Sequence, residues 1–232
     1  MRSSKKRRDH ILRHFAEIGI NNYEFFDAYV GADLDLKKLI DRCFVTPKPP
    51  EHAGVDLNPG EVGASLSHIR VYEIARDQGL ERIMVCEDDI RFCHDASDRI
   101  SMYMDEMPPD WDIVHFQSLR PVGNGDGWDK MRERVSMHVY RGFNEGAGAS
   151  CYALTRRCIG FLLEHAYPIC KAPDGLTNWP TGWWPECQGY NGYIVDPLPC
   201  ISGVFASDIG ARGVNIPANL YREWLKNRRK LS

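Results

Sequence analysis

A proline-capped helix that turns into an apolar strand closed by three acids is the feature that most narrows the fold of this chain. In Asn58-Pro59-Gly60-Glu61 a capping residue precedes proline, and glutamate stands three residues after the cap. That is the pattern of a capping box with proline at the first helical position. Val62, Leu66 and Ile69 continue an apolar stripe at helical spacing, and Gly79 is placed to close the helix. Ile83-Met84-Val85-Cys86 is a continuous apolar run, expected as a buried strand, and it passes directly into Glu87-Asp88-Asp89. Helix, turn, apolar strand and acidic cluster in this order predict an α/β arrangement with a central sheet flanked by helices.

The remaining elements follow from the same rules. Ser3 or Ser4 is placed to cap a first helix with Ile11, Phe15 and Ile18 on one face, and Gly19 to end it. Tyr23 to Asp27 reads as a strand. From Gly31 to Asn58 a short charged helix and Pro47, Pro49 and Pro50 make a surface excursion. Trp111 to Phe116 reads as a strand, followed by a loop with Gly123, Gly125 and Gly127. Val135 to Tyr140 and Ala149 to Leu154 read as strands, the second feeding a helix from Thr155 to about Ala166. Pro173 to Gly192 reads as a long loop; loops of that length are usually functional or disordered, and Trp179, Trp183 and Trp184 argue against disorder. Leu220 to Lys230 reads as a basic amphipathic helix.

Composition excludes several classes. The chain has 232 residues, 43% hydrophobic and 26% charged, which suits one globular domain. No apolar run approaches the ~20 residues of a membrane-spanning helix. The net charge of -3 and a pI near 6.2 disfavour a nucleic-acid surface. The start, Met1-Arg2-Ser3-Ser4-Lys5-Lys6-Arg7-Arg8, is basic with no apolar stretch behind it, so no secretory signal is expected. Eight cysteines lack the close pairing of a zinc site; Cys86/Cys93 and Cys151/Cys158 are too widely spaced. They are expected as buried reduced thiols, in a cytoplasmic protein.

The acids carry the chemistry. Three in a row at a strand end repel one another unless a partner neutralises them. In α/β sheets ligands sit outside the carboxyl ends of strands. Alternation along a strand would aim Glu87 and Asp89 at one divalent cation and Asp88 elsewhere, and such ions take one or two carboxylates plus substrate phosphates. Two readings stay open on the triplet alone: a metal-bridged diphosphate, or a solvated acidic turn with Asp89 as a helix cap.

Asn58-Pro59-Gly60-Glu61-Val62-Gly63-Ala64-Ser65-Leu66-Ser67-His68, followed by Ile83 to Ile90 with its Glu-Asp-Asp, resembles the core motifs of glycosyltransferase family 25. These are lipopolysaccharide and lipooligosaccharide sugar transferases, related to collagen galactosyltransferase domains. The likeness runs from Arg7-Arg8 and Phe25-Phe26-Asp27-Ala28 through Trp111-Asp112-Ile113 and Ala149-Ser150-Cys151-Tyr152 to Pro173-Asp174-Gly175. It implies a GT-A-like fold and inverting transfer of a hexose, often galactose from a UDP-sugar, to a glycan or lipid-linked acceptor. Carried over residue by residue, Glu87 and Asp89 resemble the metal and diphosphate acids, with manganese or magnesium as cofactor. Arg7, Asp27, Ala28, Ser67, His68 and Asp88 match donor-side positions.

An acceptor hydroxyl also needs a general base, usually a carboxylate. Asp174, opening the Trp-rich loop, is the candidate, with Glu145 and Glu186 as rivals. Asp174 also reads as a plain turn aspartate, and His68 as a buried, hydrogen-bonded helix residue. Trp183 and Trp184 suit stacking on sugar rings or anchoring their own loop. Family members begin with an apolar strand that is not found ahead of Arg7, so residues 1–200 are expected as the transferase domain without its first strand. Residues 201–232 are expected as an extension of the same globule. Its basic tail (Arg222, Lys226, Arg228, Arg229, Lys230) suits contact with the inner face of an anionic membrane. Two other classes compete: an inactive nucleotide-sugar- or glycan-binding remnant, and a nucleotidyltransferase, for which the phosphate loop is lacking.

Overall fold

The computed structural model describes residues 4–42, 44–45, 57–119, 121–123, 132–142, 148–169, 171–177 and 189–205. Helix α1 (Lys5–Glu17) leads through a 3-10 turn (Gly31–Asp33) and α2 (Leu36–Asp41) to α3 (Pro59–Asp77). Then come β1 (Arg82–Cys86), β2 (Arg91–Phe92), α4 (Ala96–Glu106), β3 (Ile113–His115), β4 (Glu133–Arg134) and β5 (Val139–Arg141). β6 (Cys151–Thr155), α5 (Arg156–Glu164), α6 (Pro173–Thr177), β7 (Gly192–Val195) and β8 (Cys200–Ile201) complete the order. Six strands form one mixed sheet in the order β1-β6-β3-β7-β5-β4; only β3 and β7 run parallel. β2 and β8 pair in a separate ribbon. The architecture is α/β, as the sequence predicts.

Strand alternation divides the core between the two faces of the sheet. Tyr152 and Leu154 of β6 and Ile113 of β3 face a cluster shared with α3 and α5. Cys151, Ala153 and Val114 face the opposite cluster, shared with α1 and α4. The helix boundaries come from local chemistry. Asn58 accepts from the Glu61 amide at 2.9 Å while Glu61 accepts from the Asn58 amide at 2.8 Å, the complete capping box. Gly79 and Gly19 close α3 and α1 with φ of 68° and 75°. Thr155 caps α5 by accepting from the Cys158 amide.

Four segments differ from their sequence reading. β1 is an edge strand rather than a fully buried one: Ile83 and Val85 pack toward α3 and α5, but Met84 is 42% exposed. Tyr23–Asp27 pairs with no described strand; its rings are the anchor, Phe15 meeting Tyr23 and Tyr23 meeting Phe25 edge-on, with Arg8 over Phe25. The expected strand from Val135 to Tyr140 is broken by a turn between β4 and β5. Glu106 causes it, accepting from Ser136 Oγ at 2.7 Å and the His138 amide at 2.9 Å and pairing with His138 Nδ1 at 2.7 Å. The expected loop from Pro173 opens as α6 instead. Trp179, Trp183, Trp184, Glu145, Glu186, Gly125, Gly127, the prolines at 47, 49 and 50 and the basic tail lie outside the described residues.

Backbone proximity explains Gly63 of the α3 motif and the Gly31 that faces it. A Cβ on Gly31 would stand 2.3 Å from the Pro59 carbonyl oxygen, and one on Gly63 would stand 3.0 Å from the Tyr29 carbonyl. Chain 29–31 therefore lies directly on the first turns of α3. Gly31→Ala should cost about 1–3 kcal/mol by forcing this contact apart. Gly160→Ala, on the exposed face of α5 with open space around it, should stabilise by about 0.5–1 kcal/mol. Urea midpoints of the two variants check both signs.

Candidate functional site

The acids lie one step beyond the β1 ladder. The Glu87 amide still bonds to the Ser150 carbonyl at 2.8 Å, and the chain then turns at Asp88 and Asp89. Because the triplet is a turn, strand alternation does not set its directions; each carboxylate has its own environment. Glu87 Oε2 accepts from Ser150 Oγ at 3.0 Å, and Oε1 faces His68 Nε2 at 3.6 Å. Burial pushes the Glu87 carboxyl up, but the facing His68, the Ser150 hydroxyl and the charge of Arg7 outweigh it and hold it below the usual range. Asp88 pairs with Arg7 at 2.7 Å, tying α1 to the end of β1. Asp89 Oδ1 is buried and has no hydrogen-bond partner among the described residues.

His68 and Ser67 divide two tasks on adjacent faces of α3. Ser67 Oγ donates to the Gly63 carbonyl at 2.7 Å and accepts from the Tyr29 amide at 2.9 Å. That bond fixes the chain directly after Asp27 and Ala28; Asp27 is exposed and Ala28 half-buried. His68 Nδ1 meets the Tyr152 hydroxyl at 2.6 Å, and Tyr152 in turn meets the Tyr72 hydroxyl. Asp174 sits in the first turn of α6, which is held against α3 by Ser65 Oγ on the Lys171 carbonyl at 2.9 Å. Its Oδ1 accepts from the Gly175 amide at 2.9 Å. Burial raises its carboxyl above the usual range, aided by the charges of Glu87 and Glu61.

The structure thus gathers Arg7, His68, Glu87, Asp88 and Asp89 around the end of β1, with Asp174 within the electrostatic field of Glu87, while Ser67 holds Tyr29 against the adjacent face of α3. Ser150, Tyr152 and Tyr72 complete the arrangement and escaped the sequence reading. Tyr72 stands four residues after His68, on the same helix face, and that spacing was the available signal.

Among the described residues no three His, Cys, Asp or Glu side chains form a closed metal cage. What the turn offers is open: an orphaned carboxylate oxygen on Asp89 with the ionised Glu87 nearby. Such a pair fits a hard cation that brings water and phosphate oxygens as its other ligands.

Glycosyltransferase family 25 (LPS biosynthesis protein) matches residues 1–177 of the chain. A glycosyltransferase 25 family member of Aedes aegypti is 30% identical over 185 residues, 77% of this chain and 30% of its own length. A Haemophilus influenzae protein described as a glycosyltransferase is 29% identical over 181 residues, 75% of this chain and 59% of its own. Human procollagen galactosyltransferase 2 is 30% identical over 125 residues, 52% of this chain and 20% of its own. The chain therefore spans between about a third and three-fifths of the length of the first two relatives. No described helix is long and apolar enough to cross a membrane.

Asp89 supplies a test of the site's electrostatics. Burial first, and Glu87 second, push its carboxyl up to about 6, whereas an unfolded aspartate titrates near ~3.9. The folded state therefore holds the proton more tightly, and ionising Asp89 costs stability as pH rises through that window. Asp89→Asn should be nearly neutral at about pH 4. At about pH 7.5 it should stabilise the metal-free protein by on the order of 1–2 kcal/mol, allowing for partial exposure. Urea unfolding in a chelator reads the difference, and an advantage that does not grow with pH contradicts the assignment.

Proposed function

Because the chain belongs to glycosyltransferase family 25, we propose that it transfers a hexose, galactose first among the candidates, from a UDP-sugar to a lipopolysaccharide- or lipooligosaccharide-type acceptor with inversion. The observation that carries this reading is the buried Asp89 Oδ1, without a hydrogen-bond partner among the described residues, at a turn where Arg7 already neutralises Asp88 and Ser150 already bonds Glu87. Manganese or magnesium would be held by Asp89 with Glu87 beside it, and would neutralise the charge that develops on the leaving diphosphate.

The chain's own residues do the rest. Arg7 holds Asp88 out of the site and adds positive charge beside Glu87 and Asp89. Ser67 fixes the Asp27–Ala28 segment against α3, where it borders the nucleotide. Asp174 is the general base: its raised carboxyl suits accepting a proton from an acceptor hydroxyl. The basic tail brings the protein to the inner membrane face, where lipid-linked acceptors reside.

A second reading has its own support. The human inactive glycosyltransferase 25 family member 3 is 34% identical to this chain over 67 residues. Sequence likeness of this kind therefore extends to a relative without activity, and a binding role without turnover is the alternative.

A thermal-shift panel of UDP-sugars with and without manganese tests the site. A ligand that binds only the native state raises the melting temperature. One UDP-hexose should do so in a metal-dependent manner, and Asp89→Ala should lose the metal-dependent part. A variant that keeps the full shift overturns the assignment. Binding without release of UDP in the presence of acceptor glycans favours the second reading.

A further inference from the structure

We propose that Tyr72 and Tyr152 are positioning residues that lock His68 in the tautomer protonated on Nε2, aiming a single N–H at Glu87. The contact pattern carries this by counting protons. Tyr72 and Tyr152 are fully buried and His68 is nearly so. The Tyr152 hydroxyl has two polar neighbours, the Tyr72 hydroxyl and His68 Nδ1. Among the described residues Tyr72 has one, the Tyr152 hydroxyl.

If Tyr72 donates to Tyr152 and Tyr152 donates to His68 Nδ1, both hydroxyl protons are used and Nδ1 is an acceptor. The ring proton of the neutral imidazole then lies on Nε2. If Nδ1 carried the proton instead, Tyr152 would have to accept from it and turn its own hydrogen to Tyr72. The Tyr72 hydrogen would then be a buried donor without an acceptor, which proteins rarely tolerate. Burial raises both tyrosines well above their ordinary range, so both remain donors. The rings reinforce the geometry: His68 lies nearly parallel to Tyr152, at 13°, with centroids 5.9 Å apart.

The outcome at the site is directional. Nε2 faces Glu87 Oε1 at 3.6 Å, and Ser150 Oγ bonds the other oxygen at 3.0 Å. A donor presented on each side holds the Glu87 carboxylate in one orientation. The consequence for sugar transfer rests on the reading of Glu87 given above; the tautomer does not.

Ring nitrogen NMR on the 15N-labelled full chain tests the tautomer directly, with His68 assigned by the signals that vanish in His68→Gln. Expected for the wild type are a protonated Nε2 and a hydrogen-bonded, unprotonated Nδ1; a protonated Nδ1 overturns the proposal. In Tyr152→Phe the Nδ1 resonance should move toward that of a free acceptor nitrogen, and an unmoved resonance also overturns it. In the transfer assay Tyr152→Phe should lower kcat/KM about tenfold, the scale of an outer-shell partner. His68→Gln, whose amide reaches the Nε2 position, should outperform His68→Asn, whose amide reaches only the Nδ1 position; the opposite order counts against the proposal. A wild-type chain with the expected spectrum and no transfer would remove the function and leave the tautomer assignment standing.

Discussion

Three consecutive carboxylates at the end of an edge strand have to be reconciled with one another, and the site is organised around how that is done. Glu87 is held between a histidine and a serine, Asp88 is neutralised by an arginine from α1, and Asp89 is left with a buried oxygen that no described residue satisfies. Each solution recruits a different element. His68 comes from α3, Ser150 from the approach to β6, and Arg7 from the first helix. The pairing of β1 with β6, Cys86 opposite Cys151, sets the register that places Ser150 beside Glu87. A slip by one residue would move Ser150 off that partner and turn the side chains of β6 to the wrong faces.

The close approach of chain 29–31 to α3 is the second constraint. It needs glycine at 31 and 63, because side chains there would occupy backbone. In return, Ser67 reaches the Tyr29 amide and holds the 27–29 segment against the helix surface. Gly63 of the Gly-Glu-x-Gly motif thus acts through packing, while Glu61 acts through the helix cap.

Much of this was legible in the sequence where the signal is local. The α3 cap, the stop at Gly79, the α5 cap at Thr155 and the acidic end of β1 are all written in neighbouring residues. What stayed hidden depends on distant partners. Apolar composition at 83–86 announces a strand, but not that β1 ends the order of described strands or that Met84 is exposed on one face. The 135–140 stretch has strand-forming residues, yet Glu106, about thirty positions away in sequence, bends it into a turn. Among the site residues, Glu87, Asp89 and His68 could be picked from motifs. The roles of Tyr72, Tyr152 and Ser150 could not, because a hydrogen-bond chain across α3 and β6 leaves no spacing rule beyond the i, i+4 match of His68 and Tyr72.

The chain belongs to glycosyltransferase family 25, and under the function proposed for it the open carboxylate turn is where a sugar donor would be activated. Diffraction from a crystal of the protein soaked with manganese and a UDP-hexose measures this most directly. The account predicts the metal on Asp89, with the diphosphate between it and the middle of α3 at Ser67 and His68. Diphosphate density elsewhere on the molecule, with Asp89 untouched, would contradict it.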